Sequence, residues 1–252
     1  MINLEHKVAL VTGGSRGIGA AVARKLSQAG AAVALTYVED KKSAENIVRL
    51  IRETGRQALY LKVNVARGVE VRNAVRSVRR KYGRIDILVN NAGIWKYGEI
   101  GKMTEREWDE TLNVNLKSAF LFSNEVVPLM KKQGGGKIIN ITSTAGQRGE
   151  PYHSHYAASK AGLIGFTKAI GAELAPYNIL VNSVSPGWVD TDMSAETMAD
   201  EDLKKEIERE IPRGRIATPD DIAGSVLFLA SNLSDHLVGS TISVNGGSVL
   251  SN

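Results

Sequence analysis

The sequence predicts an α/β fold: one domain over residues 1–252, a doubly wound, seven-stranded parallel sheet with helices on both faces. Three observations lead there. Short β-branched runs alternate with longer helical patterns from one end of the chain to the other, which specifies repeated βαβ units. The strand-like runs are almost continuously apolar, as strands covered on both faces must be. No Pro/Ser-rich linker, repeat or low-complexity tract interrupts the 252 residues. A chain of that size buries roughly 70% of its unfolded surface in one sizeable core.

The elements follow in order. Val8–Val11 is an apolar run that stops at Thr12-Gly13-Gly14, and a helix is expected over 17–29. Ala32–Tyr37 is the second strand, followed by a helix over 41–54 whose start is marked by Glu39 and Asp40, acids that complement the helix dipole. Ala58–Val63 is the third. Val71, Ala74, Val75, Val78 and Tyr82 then recur at helical spacing over 67–82. Ile85–Val89 precedes a long helical pattern over 104–132, and Lys137–Ile141 precedes another over 155–175. Leu180–Val184, a charged helix near 196–210, a helix over 219–231 and the strand Thr241–Val244 complete the series.

Composition narrows the chemistry. There is no Cys, which excludes a disulfide framework, thiolate-bound metal and a thiol nucleophile, and fits a reducing compartment. The net charge is +5, but the segment Arg67–Arg84 alone holds seven basic residues and one acid, so the remainder nets −1. That segment reads as an amphipathic helix with a solvated basic back, an acidic protein partner being the alternative. Without interleaved aromatics it does not read as a nucleic-acid surface. No signal-peptide pattern opens the chain and no apolar run approaches the roughly 20 residues of a spanning helix. A cytoplasmic protein with no membrane or nucleic-acid partner is expected.

The first strand runs directly into Thr12-Gly13-Gly14-Ser15-Arg16-Gly17-Ile18-Gly19. A glycine turn between a strand and a helix lets backbone approach a ligand closely, and the helix N-terminus offers free N–H groups to a pyrophosphate. No Gly-Lys-Ser/Thr follows, so a nucleoside triphosphate loop is not expected. Cofactor choice turns on the end of the second strand, where a carboxylate would bond a ribose 2′-hydroxyl. Tyr37 and Val38 stand there, and Arg16 can pair with a 2′-phosphate. Glu39 and Asp40 are read as solvent-facing. The reading favours NADP(H), with NAD(H) as the alternative.

Tyr156 and Lys160, four residues apart in a helical pattern, share one helix face. Tyr37 and Lys41 have the same spacing, so context must separate the pairs. Only Tyr156 has a serine, Ser143, thirteen residues earlier and just past a strand end, where ligands bind in open parallel sheets. The set suits carbonyl/alcohol interconversion. An ammonium beside a phenol favours the phenolate, and a hydroxyl can hold the substrate oxygen as charge develops on it.

With these residues in place, the chain resembles the short-chain dehydrogenase/reductase family. The matching pieces are Thr12–Gly19, Asn90-Asn91-Ala92-Gly93, Asn115, Ser143, Tyr156, Lys160 and Pro186-Gly187, in the family's order and nearly end to end. The resemblance implies a Rossmann fold with catalytic Ser143, Tyr156, Lys160 and Asn115, the last holding a water that links Lys160 to solvent. It implies cofactor contacts from Gly13, Ser15, Arg16, Gly17, Ile18, Gly19, Tyr37 and Val38, with Tyr156 and Lys160 sharing that task. Asn64 and Val65 would border the adenine, and Asn91, Ala92 and Gly93 would support the sheet and cofactor. Pro186, Gly187, Val189 and Thr191 would meet the nicotinamide. Within the family the wording is most similar to bacterial 3-oxoacyl-[acyl carrier protein] reductases, which implies an NADPH-dependent reduction of a 3-oxoacyl thioester on an acyl carrier protein, and a homotetramer. Two positions depart, since Gln133 and Tyr177 stand where carrier-docking arginines are common. An NAD(P)-dependent dehydrogenase of a small secondary alcohol, ketone or sugar is the alternative. Trp95, Tyr152, Trp188 and Met193 are candidate substrate-pocket residues. Segment 191–210 is a candidate lid, a plain exposed helix being the equal alternative. His153 and His155 lack an acidic ligand set, so no metal is expected.

Overall fold

The computed structural model describes residues 2–250. Its strands are β1 (Val8–Val11), β2 (Ala32–Tyr37), β3 (Ala58–Lys62), β4 (Ile87–Asn90), β5 (Gly136–Ile141), β6 (Ile179–Pro186) and β7 (Thr241–Val244). They form one sheet in the order β3-β2-β1-β4-β5-β6-β7, every pair parallel. The helices are α1 (Gly17–Gln28), α2 (Lys41–Glu53), α3 (Gly68–Tyr82), α4 (Glu105–Leu112), α5 (Ser118–Gln133), α6 (Ala145–Arg148), α7 (Ser154–Leu174), α8 (Ala195–Ala199), α9 (Glu201–Glu210) and α10 (Pro219–Ala230).

Strand alternation splits the apolar runs between two cores. Ala9 and Val11 of β1 and Ile87 and Val89 of β4 face a core shared with α1, α2 and α10. Val8, Leu10 and Leu88 face the opposite core, shared with α3 and α5 and completed by Leu174 of α7. Helix ends are set locally. Gly83 and Gly134 close α3 and α5 in the left-handed conformation, which only glycine adopts without strain. Thr104 with Glu107, and Thr218 with Asp221, form capping boxes on α4 and α10.

Two expected helices differ in detail. The pattern over 104–132 is not uniformly α-helical: a π turn over Asn113–Lys117 separates α4 from α5. The charged helix near 196–210 breaks at Asp200, whose carboxylate accepts from the N–H groups of Asp202 and Leu203 and so starts α9 afresh. Among the described residues no helix is long and apolar enough to cross a membrane.

The order of the sheet reverses between β1 and β4, and in sheets of this kind the ligand crevice opens beyond the strand ends at such a point. Thr12 seams the two halves together there. Its hydroxyl accepts from the N–H groups of Asn91 (2.9 Å) and Ala92 (3.0 Å), and Asn91 Nδ2 donates back to the carbonyls of Thr12 (2.9 Å) and Gly13 (3.1 Å).

Candidate active site

A crevice of about 550 Å³ runs along the carboxyl edge of the sheet from Asp40 to Trp188. At one end the turn 13–19 enters α1. No side chain caps this helix, so its first N–H groups face the crevice. The glycines are required by space. A Cβ on Gly19 would stand 2.2 Å from the carbonyl oxygen of Gly13, and one on Gly14 would stand 2.6 Å from Leu35 Cβ. A bare, close-packed turn under a positive helix end is shaped for a pyrophosphate.

Gly13, Ser15, Arg16, Gly17, Ile18, Gly19, Tyr37, Val38, Asn64 and Val65 line this half of the crevice, as do Asn91, Ala92 and Gly93 toward its middle. Glu39 and Asp40 stand at the rim of the crevice with their side chains exposed to solvent. Asp40 is committed to α2, accepting from Ser43 N at 2.9 Å and Ser43 Oγ at 2.5 Å, which holds its carboxyl below the usual range. Arg16 lies between this corner and the 191–210 segment, 3.7 Å from Asp192, with both side chains mostly in water. Pro186, Gly187, Val189, Thr191 and Met193 line the far wall.

Ser143, Tyr156 and Lys160 meet in the same crevice. Ser143 follows β5, and its Oγ accepts from Ala145 N at 3.1 Å. Tyr156 stands in the first turn of α7, and Lys160 one turn on lies 5.7 Å from its ring centroid. Lys160 Nζ donates to the carbonyl of Ile141 at 2.7 Å. Gly146 allows the approach, since a Cβ there would stand 2.6 Å from the backbone of Lys160.

Electrostatics differ from the sequence reading in one respect. The Tyr156 phenol is pushed up to about 12, mainly by burial; its hydrogen bond with Ser143 pulls the other way, and the nearby Glu150 carboxylate adds to the rise. The Lys160 ammonium is pushed down to about 8 by burial. Desolvation therefore outweighs the Ser143 hydrogen bond, and Tyr156 is a phenol at neutral pH.

Two expected residues lie off the crevice. Asn115, in the π turn, is buried behind Gly93; its Oδ1 accepts from Ile94 N (2.8 Å), and its Nδ2 donates to Ile94 O (2.9 Å) and Ser159 Oγ (3.1 Å). Tyr152 points outward, 59% exposed and stacked on Tyr97, because its backbone takes a left-handed turn at φ 61°. The substrate end is instead walled by Trp95 and Trp188, edge to face at 5.8 Å, and by Glu150, which the sequence reading passed over. A single acid in a loop has no spacing partner to announce it.

A family model described as enoyl-(acyl carrier protein) reductase matches residues 13–249. The chain is 43% identical over 242 residues to the 3-oxoacyl-[acyl-carrier-protein] reductase FabG of Staphylococcus epidermidis, covering 96% of this chain and 98% of that one. It is 40% identical over 246 residues to the FabG of Aquifex aeolicus, covering 98% of each. The chain belongs to the short-chain dehydrogenase/reductase family. Solved structures agree. One is described as a candidate short-chain alcohol dehydrogenase of Sinorhizobium meliloti (TM-score 0.94, 36% identity, 98% of this chain and 97% of that one). Another, a candidate NAD(P)-dependent gluconate 5-dehydrogenase of Beutenbergia cavernae with NADP bound, has a TM-score of 0.93 and 33% identity, covering 98% of each. Like the rest of this short-chain family, the protein is an NAD(P)-dependent oxidoreductase of carbonyl and hydroxyl groups.

Proposed function

We propose that the protein is an NADPH-dependent ketoreductase acting on a 3-oxoacyl thioester. The observation that carries this reading is the convergence of Ser143, Tyr156 and Lys160 on the crevice that also holds the bare glycine turn. The cradle fits a dinucleotide: the turn is packed too closely for a side chain at Gly13 or Gly19, where a Cβ would meet Ala92 or the Gly13 carbonyl, and no side chain caps the first N–H groups of α1. Ser15, Ile18, Tyr37, Val38, Asn64, Val65 and Asn91–Gly93 would flank its adenosine half, and Pro186, Gly187, Val189 and Thr191 its nicotinamide half. Arg16 would pair with a 2′-phosphate, favouring NADP(H) over NAD(H); Asp40 is occupied as a helix cap, which removes one competing carboxylate. Bound there, the reduced nicotinamide supplies the hydride.

The chain's own residues manage the oxygen and the proton. Ser143 Oγ holds the substrate oxygen where negative charge grows. Tyr156, a phenol at neutral pH, gives its proton to that oxygen as hydride reaches the carbon. Lys160 returns a proton to Tyr156. Asn115 fixes the Ile94 loop against Ser159 of α7 and so acts as a positioning residue in this relay.

A second reading, a dehydrogenase of a small secondary alcohol, ketone or sugar using NAD(P), is favoured by the carrier-docking positions. Gln133 is spent bracketing the backbone of Ile85 (3.1 and 2.9 Å), and Tyr177 lies under the Lys131 ammonium at 3.6 Å, leaving Lys131 and Lys132 as the local charges. Steady-state reduction of acetoacetyl thioesters on acyl carrier protein and on a small thiol, with NADPH and NADH in parallel, tests both. The first reading requires turnover with NADPH and a lower KM on the carrier. Equal or absent turnover on the carrier, with activity on free alcohols, would replace it by the second. The half-exposed Phe120 on α5 supports a homotetramer packed through these helices, which sedimentation would measure.

A further inference from the structure

The substrate end of the crevice contains an acid that no step above uses. Glu150 lies in the loop between α6 and α7, lines the crevice, and is largely enclosed, with 19% of its side chain exposed. It is held rather than free. Trp95 Nε1 donates to its Oε1 at 3.1 Å, and the His153 ring, 3.6 Å away at Nδ1, stacks on the Trp95 indole at 4.5 Å between centroids and 8° between planes. Nδ1 of His153 already contacts the carbonyl of Pro151 at 3.0 Å. One backbone bridge, Gly98 to His153, ties the Trp95 loop to the Glu150 loop and keeps this arrangement together.

Arg148 reaches the same rim but is exposed, and among the described residues no ion pair joins it to Glu150. Lys160 is turned toward the carbonyl of Ile141. A largely enclosed carboxylate held in place repels a second carboxylate more strongly than an exposed arginine attracts one through water. Its remaining lone pairs accept hydrogen bonds from O–H or N–H groups.

We propose that Glu150 sets the charge selectivity of the substrate pocket: it admits carbonyl substrates whose acid group is masked as an ester, thioester or amide, or replaced by hydroxyls, and rejects free oxo-acids. The proposal rests on the pocket reducing carbonyls, and deepens that reading by naming the substrate class.

The test compares ethyl acetoacetate with acetoacetate, a neutral and an anionic 3-oxo compound of similar size, in the native enzyme and in Glu150→Gln. The glutamine keeps an acceptor for Trp95 Nε1, and a thermal melt with cofactor titration checks that fold and cofactor site persist. The native enzyme is expected to prefer the ester. In Glu150→Gln the ratio of kcat/KM for the acid to that for the ester should rise at least about tenfold, through a lower KM for the acid, the effect of removing a like charge from the pocket wall. A ratio that moves less than about twofold on a gap of that expected size overturns the proposal, as does a native enzyme that takes acid and ester equally well. Turnover of the ester with the predicted shift, but none of a thioester, would support the role of Glu150 while removing the thioester reading.

Discussion

Gly19→Ala probes the glycine turn most directly, because the geometry fixes both sign and size. The new methyl carbon would stand 2.2 Å from the carbonyl oxygen of Gly13 and 2.5 Å from Asn91 Nδ2. An ordinary carbon–oxygen contact is about 3.3 Å, so turn and helix must part by about 1 Å. The obstruction is backbone, which cannot swing aside as a long side chain does. Parting them strains the two hydrogen bonds from Asn91 that hold Thr12 and Gly13. Overpacking costs about 1–3 kcal/mol and each weakened hydrogen bond up to about 1 kcal/mol, while alanine in place of glycine returns about 1 kcal/mol of helix propensity. The net loss centres on about 2 kcal/mol, at roughly 2–4 °C of Tm per kcal/mol for a chain this size. NADPH binding, followed by quenching of intrinsic fluorescence, should weaken at least about tenfold, since one misplaced charge-assisted hydrogen bond accounts for that much. A variant with unchanged Tm and a Kd within about twofold of the native value would refute the claim that this turn is held in contact with α1 to receive the cofactor.

Three further outcomes follow from the site. Tyr156→Phe should lower kcat by about 10²–10⁴-fold with cofactor affinity retained, and titration of NADPH against the variant separates this from a binding defect. Because burial holds the Tyr156 phenol near 12, alcohol oxidation, which needs the phenolate, should rise steadily from about pH 7 to about pH 10, whereas reduction should not rise with it. An oxidation profile flat over that range would contradict the proton assignment. Arg16→Ala should weaken NADPH about tenfold and NADH less than about threefold, and equal losses in parallel titrations would remove the 2′-phosphate contact.

Much of the architecture was legible because strands buried on both faces must be apolar throughout: Val8–Val11, Ala32–Tyr37 and Thr241–Val244 match their observed limits. Tyr156 and Lys160 were legible because helical spacing fixes a shared face. The π turn at Asn113–Lys117 was not, since one extra residue in a turn barely disturbs an apolar periodicity. Asp200 did carry a start signal, an acid before Glu201 and Asp202, that the longer charged pattern masked. Tyr152 was misplaced by a backbone angle that its residue type does not favour. The phenol's raised proton affinity is a property of enclosure, which depends on segments far apart in sequence. Glu150 escaped notice for the same reason: it acquires meaning only from Trp95.

The Thr12 seam has a consequence for how the protein is made. The glycine turn leaves the ribosome early, but the residues that brace it, Asn91 and Ala92, follow 79 and 80 positions later. Until β4 slots in beside β1, a nascent chain has the turn without its brace, and the catalytic helix α7 comes later still. Vectorial synthesis thus leaves the turn unbraced until β4 emerges, and a truncated product ending short of β4 should gain little protection from NADPH against a protease.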